Sequence, residues 1–353
     1  MENYIIFDLL DEAFDDISLK TFCFKYFEKV YNSIPAVQNK EEKITFLITH
    51  CKSHLQLDFL LEKIKKERPA MYQKHIPIVE VKTKIENISK PQEIYETPKI
   101  TTKPQNYTET INGVSFEMIW VEGTDTNNPF LFQGTKKVQL DGFYVAKFPT
   151  TQALYQAIIG TNPSYFKGGN KPVECVNWFD AMAFTEKLSE LTGKKYILPS
   201  EVQWEYAAKG GRLSKDYTYA GSNNIDEVAC YRKNSRDKGE KHADYGTHNV
   251  GRYKANELGI YDMSGNVWEW CLDEWENNIV EKIPDNFLNP LFSENKIINS
   301  NTFKNKNTAN TTQFVDRGGA YFFNTGNCAV RYRRHNDAGN RDNFIGFRCV
   351  LVF

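Results

Sequence analysis

The sequence predicts two folded units of different class: a small all-α helical bundle, followed by a larger α+β domain of few helices, short strands and long loops. Three observations carry this. The chain has 353 residues, and its 41% hydrophobic content, with 24 Phe, 19 Tyr and 6 Trp, fills more than one core. One-sided helical stripes are concentrated in residues 1–75. Beyond about residue 109 only three segments carry both a helix start and a helix stop, and turn-forming residues separate them.

In the first unit, Ser18 is the expected cap of a helix in which Leu19, Phe22, Cys23, Tyr26, Phe27 and Val30 recur at helical spacing. Ile44, Leu47, Ile48 and Cys51 make a second stripe, and Leu57, Leu60, Leu61 and Ile64 a third. A helix apolar on one side must bury that side, so these segments are expected to close on one another over residues 1–75. Residues 76–108 turn to Lys, Glu, Thr, Pro and Ile without periodicity, the composition of a flexible linker.

Ordered sequence resumes over 109–353. Phe116, Met118 and Trp120 alternate as in a strand. A helix is expected from Thr150 or Thr151 to Gly160, and a second ends at Gly193. A third starts where Ser200 and Gln203 have capping-box spacing and stops at Gly210-Gly211. The Asn-rich run from Glu276 to Thr312 reads as a long polar loop.

Composition excludes several partner classes. A formal charge of −1 gives no overall field that recruits nucleic acid or an anionic membrane. No apolar run approaches the roughly 20 residues that span a bilayer, and Met1-Glu2-Asn3 has no basic region before its short apolar stretch, so a cytoplasmic protein is expected. The seven cysteines are odd in number and widely spaced, with no C-x-x-C pair, and read mostly as reduced, buried small hydrophobes.

The ordered segments DGFYVAKFPTT, NPSYF, PVECVNWFDAMAF, LPSEVQWEYAAKGG, LGIYDMSGNVWEW, DRGGAYF and IGFRCV resemble the formylglycine-generating-enzyme (sulfatase-modifying factor) family from about residue 112 to 353. The resemblance implies a C-type-lectin-like fold whose final segment runs across a binding face. The N-terminal unit resembles effector-associated domains, small death-like helical adaptors of bacterial conflict systems. That resemblance implies recruitment of an effector protein by like-with-like association.

The same resemblance sharpens the chemistry. Oxidase members carry two cysteines just after the GG(S/A)Y turn, one binding copper and both acting as redox thiols. In this chain Phe323 stands at the first of those positions and only Cys328 remains, so no copper is expected. An enzyme of modified family chemistry would have Cys328 as its one attractive nucleophile, so that class stays open beside a binding protein and a purely structural one. His50 and His54 have the i,i+4 spacing of half a zinc site without an evident third ligand, and read as a solvated helix face. There is no G-x-S-x-G elbow and no glycine-rich phosphate loop. In YDMSGNVWEW, Asp262 and Glu269 with the carbonyls of Gly265 and Val267 resemble the family's structural calcium site. The same residues also read as a tight turn in which Gly265 and Asn266 meet backbone demands while Trp268 and Trp270 enter the core.

Between Arg317–Ala320 and Ile345–Arg348 lies YFFNTGNCAVRYRRHNDAGNRDNF, crowded with aromatic, amide, acidic and guanidinium side chains and poor in aliphatic ones. Rigid aromatics give contact area at low entropic cost while Asn, Asp and Arg adapt their hydrogen bonds, the composition of a paratope. The segment resembles the variable region of proteins diversified by diversity-generating retroelements. On that resemblance the ligand-binding positions are Tyr321, Phe322, Phe323, Asn324, Asn327, Tyr332, Arg334, His335, Asn336, Asp342, Asn343 and Phe344, facing an unknown protein or other macromolecular ligand. Arg331, Arg333, Arg334, Arg341 and Arg348 could pair with phosphates, but Asp337 and Asp342 dilute the patch and disfavour nucleic acid.

Overall fold

The computed structural model describes residues 3–15, 57–75, 104–293, 296–299 and 309–353, with single positions between 18 and 48. It divides into two units, Met1–Lys99 and Ile100–Phe353.

In the first unit α1 (Asn3–Ala13), α2 (Leu57–Glu67) and α3 (Pro69–His75) contribute to one apolar cluster. The expected stripes meet in it: Leu19, Phe22 and Cys23 from the first, Ile44, Leu47 and Ile48 from the second, Leu60, Leu61 and Ile64 from the third. Capping differs from expectation by one turn. Ser18 is not the first cap: Asp15 Oδ1 accepts from the Ser18 amide at 2.7 Å and Ser18 Oγ accepts from the Asp15 amide at 3.0 Å. Asp15 is therefore the cap and Ser18 its reciprocal partner three residues on. Arg68 ties the unit together, donating from Nε to the Ala13 carbonyl at 3.0 Å with its guanidinium 4.8 Å from the Phe14 ring. Tyr26, Phe27, Val30, Cys51, the His50/His54 pair and residues 76–103 of the expected linker lie outside the described residues.

The second unit begins earlier than expected, because β1 (Tyr107–Ile111) is already paired with β2 (Val114–Val121). After β3 (Phe130–Phe132), β4 (Lys136–Gln139) and β5 (Phe143–Ala146) come the three anticipated helices: α4 (Gln152–Ile159), α5 (Trp178–Thr192) and, beyond β6 (Lys195–Ile197), α6 (Glu201–Ala208). Their ends follow local chemistry. Thr151 Oγ1 accepts from the Leu154 amide at 3.2 Å, Asn177 and Asp180 form one capping box, Ser200 and Gln203 another, and Gly160 and Gly193 close their helices at φ 91° and 68°.

The remaining strands are β7 (Trp268–Glu274), β8 (Phe287–Leu288), β9 (Pro290–Ser293), β10 (Lys296–Asn299), β11 (Gln313–Arg317), β12 (Arg333–Asp337), β13 (Ile345–Gly346) and β14 (Val350–Val352). β8, β9 and β10 correct the expectation of a featureless polar loop between Glu276 and Thr312. The short run Phe287 to Phe292 is apolar enough to pair, and Leu291 and Phe292 are buried.

Two sheets position everything that follows. A five-stranded sheet has the order β1-β2-β5-β14-β6, so the last strand of the chain sits inside it, Val350 pairing with both Val145 and Ile197. A four-stranded sheet has the order β12-β11-β7-β13. β2 shows why the expected alternation is incomplete: Met118 enters one apolar cluster while Ile119 and Val121 enter the other, so the strand is buried on both faces.

Buried charge pins the second sheet. Arg317 donates to Glu201 at 2.5 Å and Glu205 at 2.7 Å, and Arg333 forks onto Glu201 at 2.6 and 2.8 Å. Burial works against ionisation of Glu201, but Arg333 and Arg317 overcome it and hold its pKa below the usual carboxylate value. None of the six described cysteines is disulfide-bonded, and Cys23, Cys230, Cys271, Cys328 and Cys349 are buried.

Candidate functional site

The segment after β11 returns along the sheet edge as β12 and then leads into β13, and its side chains are placed by strand periodicity. Successive β12 residues point to opposite faces. Arg333 and His335 go to Trp275, the guanidinium 4.5 Å and the imidazole 4.5 Å from its ring. Arg334 and Asn336 go to the other face, over Trp268 and Asp316. The stretch expected to form one contact surface is thus divided between two.

The first of these is an aromatic box. Phe323 meets Trp268 edge-on at 5.4 Å and Phe344 at 5.2 Å, and Phe322 stacks on Phe344 at 6.0 Å. Tyr332 lies 5.9 Å from Trp268 and is 40% exposed. The Arg334 guanidinium sits 5.1 Å from Trp268, 5.1 Å from Phe323 and 5.4 Å from Phe344, and Arg236 lies over Phe322 at 3.9 Å. Such ring pairs and cation–π contacts contribute about 0.5–2 kcal/mol each and hold the rings at fixed angles.

The second is an open polar cleft of about 630 Å³ lined by Asn310, Gln313, His335, Asn336, Asp337, Gly339 and Asn340. Desolvation, followed by the neighbouring Arg334 charge, lowers the His335 pKa, and its buried Nδ1 has no hydrogen-bond partner. Asn336 links the cleft to the box, donating to Asp316 Oδ2 at 2.6 Å and accepting from Asn340 Nδ2 at 3.1 Å.

Of the twelve expected contact residues, Asn324 and Tyr332 are exposed, and Phe322, Phe323, Asn327, Arg334, His335, Asn336, Asp342, Asn343 and Phe344 are half-buried. Tyr321 departs from expectation. It is 1% exposed, packs 5.2 Å from Phe166 and 6.2 Å from Tyr245, and donates its hydroxyl to Asn343 Oδ1 at 3.0 Å. Tyr321 supports the face from below rather than forming it. Trp268, the floor of the box, was read from the sequence only as core; its partnership with Arg334 joins residues far apart in the chain and has no local signal.

Cys328 is fully buried among Ile225, Val228, Ala229 and Tyr231, and desolvation pushes its thiol up to about 12. At the position of the family's other thiol, Phe323 packs into the aromatic box, so the paired sulfur donors that copper needs are missing from this geometry. Gly319, at φ 77°, admits no side chain, because a Cβ would come within 2.6 Å of Cys328 Sγ.

The calcium expectation meets a different arrangement. Both Glu269 oxygens are taken: Arg348 donates to Oε2 and Oε1 at 2.7 Å each, and the Trp204 indole donates to Oε2 at 2.7 Å. Asp262 turns elsewhere, accepting from the Gly251 amide at 2.7 Å and from Asn266 Nδ2 at 3.3 Å, and burial raises its carboxyl pKa to about 6. Gly265 and Asn266 hold φ 82° and 67°, and Trp268 and Trp270 are buried. With Arg348 on both Glu269 oxygens and Asp262 turned to Gly251 and Asn266, the two carboxylates are not free to share a calcium ion in this arrangement, which suits the tight-turn reading. Among the described residues no group of three His, Cys, Asp or Glu side chains could hold a metal ion.

Fold and site together define an α+β domain of C-type-lectin-like architecture that carries a laterally displayed aromatic face. Residues 96–352 match the sulfatase-modifying factor enzyme 1-like domain, and the chain belongs to that family. Residues 6–69 match effector-associated domain 7. Chaperone protein LppX of Paenibacillus barcinonensis is 36% identical over 216 residues, 49% of this chain and 76% of LppX. The formylglycine-generating enzyme of Thermomonospora curvata is 35% identical over 130 residues, 35% of this chain and 40% of the enzyme. Among solved structures, Treponema denticola variable protein 1 superposes with a TM-score of 0.55 at 26% identity, over 70% of this chain and 99% of that one. No helix among the described residues is long and apolar enough to cross a membrane.

Proposed function

We propose that this chain is a non-catalytic recognition protein of the cytoplasm. Its C-terminal segment, about residues 321–344, binds a macromolecular ligand, and its N-terminal domain recruits an effector protein. The observation that carries this reading is a contrast within one segment: Phe322, Phe323, Phe344, Tyr332 and Arg334 gather at a partly open face, while Cys328 is sealed in the core with an unreactive thiol. Contact chemistry is presented and bond-making chemistry is withdrawn. Family relatives named as a chaperone and as a variable protein support the same direction.

The likeness to a variable protein also supports diversification of the segment by a retroelement. The scaffold residues Arg317 and Arg348 are locked in buried ion pairs on either side, so exchange of the exposed and half-buried side chains between them, such as Asn324 and Tyr332, would leave the fold intact. Effector recruitment rests on the match to effector-associated domain 7, and a linker between the two functions would work by raising local concentration.

The test is a displayed random-peptide selection against the full chain, counter-selected on the Tyr332→Ala/Phe344→Ala variant. Peptides retained by the native face alone support recognition there. A sample that converts a cysteine in a sulfatase-type peptide to an aldehyde when given copper and oxygen, and loses this with Cys328→Ala, establishes the enzyme instead. Sequencing the locus tests diversification: a reverse transcriptase and a near-identical template repeat are expected nearby, and their absence removes that part of the reading.

A further inference from the structure

Two buried donors in the aromatic box have no acceptor among the described residues. Trp268 is fully buried, yet its indole N–H has no acceptor, and Arg334 Nη1 is likewise without a hydrogen bond, its nearest carboxylate oxygen, Asp316 Oδ2, being 3.6 Å away. Buried polar groups in folded proteins are overwhelmingly satisfied, so two neighbouring exceptions in one half-open box call for an acceptor from outside. The guanidinia point the same way: Arg334 and Arg236 both lie on the rings of the box, and Asp316 Oδ2, the carboxylate oxygen paired with Arg334, is 3.6 Å from it. Arg236 contacts the Phe322 ring and has no ion pair among the described residues. Its neighbour Asp237 is taken by Arg232 at 3.0 Å.

Resting on the recognition reading above, we infer that the aromatic box takes a carboxylate from an acidic side chain of a protein partner, held by the Trp268 indole N–H and the Arg334 and Arg236 guanidinia. A guanidinium seated on rings is weakly hydrated and keeps its edge free for a planar oxyanion, which suits a carboxylate. The rings exclude water from that contact and strengthen it. Tyr332, the most exposed ring of the group, lies 5.9 Å from Trp268 and would flank the bound residue. A nucleic-acid strand fits less well. Its phosphates need a row of cations, whereas Asp337 is exposed on the same segment, Arg341 is held by Asp180 at 2.8 and 3.0 Å, and Arg333 is held by Glu201.

The experiment follows the Trp268 indole N–H resonance of the full chain, identified by its loss in Trp268→Phe, during titration with acetyl-Gly-Glu-Gly-amide, its Gln counterpart and a thymidine oligonucleotide. The Glu peptide is expected to move that resonance saturably and the Gln peptide to leave it in place. Arg236→Gln, followed by the same resonance, and Trp268→Phe, which keeps an aromatic ring and is followed by calorimetric titration, should each weaken the Glu peptide roughly tenfold while the thermal transition stays cooperative. Equal response to both peptides, no response to either, or a stronger response to the oligonucleotide overturns the assignment. Should the peptide selection above succeed while this resonance stays still, the face binds a partner by other chemistry and only this inference fails. Should both stay silent, the recognition reading fails with it.

Discussion

Glu269 and Arg348 form a fully buried, two-pronged pair, Nε to Oε2 and Nη2 to Oε1 at 2.7 Å each, and the same guanidinium also donates to the carbonyls of Ala146 and Tyr261. One arginine therefore fastens β7 to the five-stranded sheet and to the loop before the Gly265 turn. Removing it strands a carboxylate away from water. Arg348→Met is expected to cost about 3–5 kcal/mol in urea unfolding, and Glu269→Leu/Arg348→Met to recover much of that loss. A single-variant loss under about 1 kcal/mol would show the pair to be dispensable.

Because Arg348 holds both Glu269 oxygens, calcium is expected to have no differential grip on the folded state. Thermal unfolding in excess calcium and in chelator is expected to coincide. A site saturated a hundredfold over its Kd would add about 2.7 kcal/mol, several degrees in a domain of this size. A shift of that order would restore the calcium site.

What was legible in the sequence is what is local. Thr151, Ser200, Gly160 and Gly193 mark helix ends because capping is decided within four residues. Glu269 and Arg348 are 79 residues apart and Glu201 and Arg317 116, and such partnerships leave no spacing to read. The calcium expectation shows the same limit: its donors were visible in the sequence and the arginine that holds Glu269 was not. The contact segment was legible in composition but not in geometry, since alternation along β12 sends His335 to Trp275 and Arg334 to Trp268.

Tyr321 and Tyr332 lie in one run of sequence and should respond oppositely. Tyr332→Ala removes a ring that is 40% exposed, and its stability change is expected to stay within about 1 kcal/mol while ligand capture is lost. Tyr321→Ala empties a buried site packed on Phe166 and Tyr245, with an expected cost of about 3–5 kcal/mol. Denaturant midpoints for the two variants decide this, and a reversed order would place the wrong ring in the core.

Cys328 should be inert in the native chain. Its thiol is sealed from solvent and pushed up to about 12 by burial, so iodoacetamide at neutral pH is expected to leave it unmodified until the chain is unfolded. Peptide mapping after labelling reads this directly. Rapid native modification of Cys328 would return it to the candidates for a nucleophile.

Asp316 gives the second sheet a pH response with a definite sign. Burial raises its pKa to about 6, against the opposing pull of Arg334 and the hydrogen bond from Asn336. In the unfolded chain an aspartate ionises near pH 4. Between those values the unfolded chain gives up its proton while the folded chain still holds it, so stability falls as pH rises from about 4 to about 6 and levels off above. A shift of about two units corresponds to roughly 2–3 kcal/mol for this group alone. Asp262, also near 6, acts in the same direction, and Asp273, raised to about 8 by burial and then by Glu201, extends the decline further. Glu201 acts oppositely: its lowered pKa supplies stability that disappears only as pH drops below the usual carboxylate range. Asp316→Asn removes one share of the slope, so the variant should gain on the native chain by about 1–3 kcal/mol between pH 4.5 and pH 7 in urea unfolding. A variant-to-native difference that is the same at both pH values would mean Asp316 is ionised throughout.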